Sequence, residues 1–151
     1  MDGNCNTNMK KNNAHDIDDI CLHDARLSRI EFDEQSTTFY FPTGLYLTQD
    51  GSKTNTAIVK ACIDLDDIVV FVSRRSKFSL RNREKYISKR VPFSKLISKL
   101  NNEIEIIDSM NQGNNRYLWR GVFLDTQGYT NEYVEIQFNS CDLITWEVYL
   151  D

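Results

Sequence analysis

The chain has two histidines, His15 and His23, each followed by an aspartate, Asp16 and Asp24. Imidazole and carboxylate together suit zinc or manganese. There is no third histidine, and His15 falls in a stretch without a packing pattern. Solvated or backbone-bonded imidazoles are the expected outcome, and no metal site is expected. Cys21 and His23 stand two residues apart, which on a strand places both on one face. A thiol–imidazole pair also needs a third group to orient the base, and the sequence assigns none. The six glycines are scattered. They form no GxSxG nucleophile elbow and neither of the glycine-rich phosphate loops. Carboxylate pairs of the kind that cleave glycosides require only that two acids meet in space, and nothing singles out a pair. The expectation is a non-catalytic protein without a cofactor.

The clearest signal outside the core pattern is the distribution of charge. Between positions 74 and 99 lie ten basic residues against the single acid Glu84, a net of +9. The rest of the chain holds eight basic and twenty-one acidic residues, a net of −13, and the total is −4. Arg74, Arg75, Lys77, Arg81, Arg83, Lys85, Lys89 and Arg90 are the candidate anion- or partner-binding residues. Asp64, Asp66 and Asp67 are the candidate acidic contact. Three readings compete for the cations. They coat a solvated loop and helix face, they meet an acidic protein partner, or they bind a phosphate backbone with Phe78 and Tyr86 stacking on bases. An acidic whole chain is a poor non-specific ligand for nucleic acid, which favours a protein partner.

The elements that must carry these residues are mostly strands. Ser28, Ile30 and Phe32 alternate with Arg29 and Glu31, so the stretch around them reads as one strand. Thr38 to Phe41 is a second, bent by Pro42-Thr43-Gly44. Asp50-Gly51 marks a turn. Residues 58–72 read as a hairpin at the centre of a sheet, closed by the acidic turn Asp66-Asp67. Phe93, Leu96, Ile97 and Leu100 recur at helical spacing behind Pro92, predicting one amphipathic helix over about 92–101. Four alternating segments follow, in the regions 103–106, 116–125, 133–138 and 144–150. The link Ser140-Cys141-Asp142 is short enough for the last two to pair antiparallel. The fold class is α+β and β-rich: a mainly antiparallel sheet or two-sheet sandwich of about seven to eight strands with one helix.

A chain of 151 residues fits one domain. Residues 1–16, rich in Asn and poor in apolar side chains, read as a tail, and 17–151 as a single β-rich domain. No apolar run approaches a membrane span. The N-terminus lacks the apolar stretch of a secretory signal. Cys5, Cys21, Cys62 and Cys141 are widely spaced without a CxxC, and they read as free thiols in a reducing cytoplasm.

Leu22-His23-Asp24-Ala25-Arg26, running into the strand to Phe32 and then Phe39-Tyr40-Phe41-Pro42-Thr43-Gly44, resembles the opening of small β-rich bacterial proteins of uncertain function. Some of these are regarded as immunity proteins of polymorphic toxin systems. The resemblance spans residues 22–47, and it implies a toxin-neutralising binding protein with no catalytic residues. The expected function is therefore binding through a charged surface. A small nucleic-acid-binding module built on 74–99 is the alternative, and a structural or self-associating domain is a third.

Overall fold

The computed structural model describes residues 15–34, 36–77, 84–99 and 103–148, of which 65, 75–77 and 84–86 are described by their backbone. They form thirteen strands: β1 (His15–Asp16), β2 (Ile20–Cys21), β3 (Arg26–Leu27), β4 (Arg29–Phe32), β5 (Thr37–Phe41), β6 (Tyr46–Leu47), β7 (Ala57–Ala61), β8 (Val69–Lys77), β9 (Glu84–Val91), β10 (Ile104–Gly113), β11 (Arg116–Asp125), β12 (Gly128–Asn139) and β13 (Thr145–Val148). One helix, α1 (Phe93–Lys99), sits between β9 and β10. Five strands make one antiparallel sheet in the order β1-β13-β7-β5-β4. Six make a larger one in the order β3-β10-β11-β12-β8-β9, and β2 pairs with β6 alone. No helix among the described residues is long and apolar enough to cross a membrane.

The core lies between the two large sheets. Trp119 of β11, 1% exposed, is its centre. Its ring meets Phe39 of β5 at 4.7 Å between centroids and Phe138 of β12 at 5.1 Å. Burial of such large apolar area is the dominant stabilising term. Alternation supplies the inner faces: Tyr117, Trp119 and Phe123 from β11, Val134, Ile136 and Phe138 from β12, Phe39 and Phe41 from β5. Leu96 of α1 is fully buried in the same cluster, with Phe93 and Ile97 packed against it. Pro92 lies just before the helix and caps it, its carbonyl accepting from the Lys95 and Leu96 amides at 3.0 and 3.3 Å. The predicted helix is thus borne out over Phe93–Lys99, and the remainder of 92–101 on its far side lies outside the described residues.

Several expectations are corrected. The described residues form thirteen strands, because four are only two residues long and leave no periodicity to read and because the basic stretch Glu84–Val91 folds as a strand. The first strand is two: β3 belongs to the larger sheet and β4 to the smaller, and the chain changes sheets at Ser28, whose amide bonds to the Tyr40 carbonyl. Ile30 is buried but Phe32 is 48% exposed. Residues 58–72 are not a hairpin. β7 lies in the smaller sheet and β8 in the larger, and the acidic turn between them (Leu65–Asp67, one turn of 3₁₀ helix) carries the chain across the sandwich. Likewise β12 and β13 do not pair. Ser140-Cys141-Asp142 hands the chain from the larger sheet to the smaller.

These last two crossings meet. Cys62, just after β7, is disulfide-bonded to Cys141, just after β12, and the Cys141 amide donates to the Cys62 carbonyl at 2.7 Å. The free-thiol reading is wrong for this pair. Disulfides persist mainly in oxidising surroundings, so these two thiols no longer argue for a reducing cytoplasm. Cys21 is free and exposed, and Cys5 lies outside the described residues. His15 and Asp16, placed in the expected tail, pair with Trp146 and Thr145 of β13.

Candidate binding surfaces

The basic segment folds as the β8–β9 hairpin and the start of α1 rather than as a loop. β8 is held by β12 as far as the rung Arg74–Glu132. Beyond it the two strands continue as a ribbon, with Arg75 opposite Tyr86, Ser76 opposite Lys85 and Lys77 opposite Glu84. Arg81 and Arg83 lie outside the described residues. β9 is the last strand of its sheet, so one side of its backbone carries no partner among the described residues. Ile87, 58% exposed, and Ser88, Lys89 and Arg90 stand along this edge.

The cations divide into two groups. Arg26 pairs with Glu105, Arg29 with Glu31, Lys60 with Glu147, and Arg120 with Glu135. Arg74 and Lys99 share Glu132 at 3.6 and 3.1 Å, and Lys99 also lies 5.6 Å from the Phe123 ring. Lys89, Arg90 and Lys95 are exposed and form no ion pair among the described residues. Lys53 and Arg116 are likewise exposed without an ion pair but stand singly, whereas these three fall close together on β9 and the helix that follows it. The acidic candidates also face water: Asp64, Asp66 and Asp67 are exposed, with the Asp64 carboxylate accepting from the Asp66 amide at 3.1 Å.

A second surface went unnoticed in the sequence. β11 is apolar on both faces, and on its outer face Leu118, Val122 and Leu124 are buried although they lie outside the core cluster. By register, Tyr133 of β12 stands beside Val122 and Tyr129 beside Leu124. Tyr129 is 68% exposed, and the neighbouring Glu105 carboxylate raises the phenol's pKa. Between Tyr133 and Glu135 of β12, Ile107 and Asp108 of β10 and Phe71 of β8 a trough of about 440 Å³ runs across the strands. Its polar wall is one rung of the sheet: Glu135 opposite Arg120, and Arg120 opposite Asp108. The Arg120 guanidinium reaches Glu135 at 3.0 Å and Asp108 at 3.8 Å.

The trough depends on a bulge. β10 slips register between Ile106 and Asp108, opposite Gly121. A β-carbon at Gly121 would come within 2.5 Å of the Ile104 side chain and 2.8 Å of the Glu105 carbonyl, so only glycine lets β10 approach here. The segment Leu22–Arg26 fastens the bulge. Asp24 adopts φ 65°, its amide donates to the Ile106 carbonyl, and the Ile106 amide donates back to the Ala25 carbonyl, each at 2.8 Å. Nδ1 of His23 bonds to the Ile107 carbonyl. His23 and Asp24 thus act as a clasp on β10. Bulges re-aim side chains, and this one turns Ile107 and Asp108 into the trough. Among the described residues no group of three metal-ligating side chains is assembled.

Comparison with family models, with curated proteins and with solved structures finds no match for this chain.

Proposed function

We propose that the protein is a non-catalytic binding protein, and that its contact surface is the cationic edge formed by β9 and the adjoining face of α1. The observation that carries this reading is a juxtaposition: Lys89, Arg90 and Lys95 fall close together in the chain, exposed and without an ion pair among the described residues, on β9 with its open edge and on the helix that follows it. An open strand edge accepts an extended segment through its backbone, and neighbouring charges choose which segment. Like charge disfavours edge-to-edge pairing of two copies. An acidic, extended polypeptide has the complementary sign. Nucleic acid makes no use of an open strand edge, so the partner is a protein.

The test is fluorescence anisotropy with a labelled peptide of alternating Glu and Val, and a labelled oligothymidine as the competing probe. The peptide should bind at low salt and release as salt rises, because exposed charges are screened beyond about 10 Å at 0.1 M. Lys89→Glu with Arg90→Glu should weaken it about tenfold or more, the equivalent of ~1.4 kcal/mol. Tighter retention of the oligothymidine than of the peptide would overturn the protein-partner reading in favour of nucleic acid. The toxin-neutralising role implied by the resemblance is a second reading on a different surface. There the exposed Asp64, Asp66 and Asp67 meet a basic toxin, and reversing all three to Lys should abolish protection while sparing the acidic peptide.

A further inference from the structure

We infer that the trough on the outer face of the larger sheet is a binding site for a neutral oligosaccharide. A pyranose ring presents an apolar C–H face and a rim of hydroxyls, each both donor and acceptor. A site for it needs a flat apolar platform beside fixed hydrogen-bonding groups, and the trough has both. Phe71 and Tyr133, each half-buried, and Ile107, 42% exposed, supply the platform. Arg120, Glu135 and Asp108 supply a planar donor fork flanked by carboxylate acceptors. These groups hold one another in place: Nε of Arg120 on Glu135 at 3.0 Å, and Nε2 of Gln137 on the same carboxylate at 3.0 Å. Such restraint lowers the ordering cost of binding. Ser73 and Ser88 face each other across β8 and β9 on the same wall, and neither hydroxyl has a protein partner among the described residues.

Charge and shape select within this chemistry. The Asp108 and Glu135 carboxylates are balanced by Arg120 and by Arg90, which stands opposite Phe71 on β9, so the surroundings carry no net charge and suit an uncharged ligand. A volume of about 440 Å³ lies within the ordinary range for small-ligand sites. The trough crosses strands from β10 to β9 and is open along its length, so it takes a short stretch of a chain whose ends emerge into water. The site is centred on the sheet face and meets the cationic edge at Ser88 of β9.

The experiment uses the full chain, ¹⁵N-labelled, titrated separately with maltose, cellobiose, lactose and chitobiose, with spermidine and inorganic phosphate as charged probes. At least one disaccharide should shift the amides of Phe71, Ser73, Arg120 and Tyr133 together, with saturable millimolar affinity. Phe71→Ala should weaken that binding about tenfold, as should Ser73→Val combined with Ser88→Val, which strips hydroxyls without touching the ion cluster. No shift with any of the four sugars would overturn the assignment. So would shifts mapping to another surface, or a preference for spermidine or phosphate over every sugar.

Discussion

At the scale of single residues, the structure assigns work to side chains that a motif search passes over. Gly121 is required because β10 bulges against it. Gly121→Ala should cost about 1–3 kcal/mol, the usual penalty for overpacking, in urea-induced unfolding. It should also perturb the trough while leaving β9 unchanged. Asp24 holds a positive φ that aspartate tolerates and β-branched residues do not. Asp24→Gly should leave stability nearly intact, whereas Asp24→Val should cost about 1–3 kcal/mol by the same unfolding measurement. If Asp24→Val is silent, the clasp on Ile106 and Ile107 is not what holds the bulge. The Leu22–Arg26 motif carried a functional expectation through resemblance. Its contacts give it a structural task, because both His23 and Asp24 bond to the backbone of β10.

At the scale of elements, the two crossings of the sandwich are tied at one corner. The Cys62–Cys141 bond closes 79 residues of chain. Cross-links over loops of this size typically contribute about 2–5 kcal/mol, mainly by restricting the unfolded ensemble. Reductant, or Cys62→Ser with Cys141→Ser, should lower the urea midpoint accordingly. An unchanged midpoint would show the corner to be held by packing and by the Cys141 amide alone. Alternation made β11 legible over its length, but β10 and β12 only over 103–106 and 133–138, because the polar stretches that complete them, to Gly113 and from Gly128, carry no apolar period. The turn at Pro42-Thr43-Gly44 was legible from its residue types, and Gly44 indeed sits at φ 86°. Connectivity was not legible. A short link such as Ser140-Cys141-Asp142 fits a hairpin and a sheet-to-sheet crossing equally well, and only the packing of Trp146 and Val148 against the core decides between them. The trough escaped for a related reason. Asp108, Arg120 and Glu135 are far apart in sequence and meet only through register. The available hint was β11 itself, apolar on both faces with Arg120 alone interrupting the outer one.

At the scale of the whole molecule, the charge separation visible in the sequence survives folding in part. Glu132 draws Arg74 and Lys99 inward, so the cationic segment is partly compensated by the fold's own acids. Among the residues whose side chains are described, Lys89 and Arg90 on β9 and Lys95 on α1 remain outward. A surface of this kind steers association more than it stabilises the fold, since exposed pairs contribute about 0–1 kcal/mol each. Lys89→Glu with Arg90→Glu should therefore leave thermal stability nearly unchanged while slowing association with an acidic partner.

The most direct measurement is amide hydrogen exchange across β9 in the presence and absence of the alternating Glu-Val peptide at low salt. If β9 receives an added strand, alternate amides between Ile87 and Val91 should slow on binding, and those of the opposite edge, β3, should not. Unchanged exchange along β9 under saturating peptide, or protection confined to another surface, would contradict the cationic-edge account.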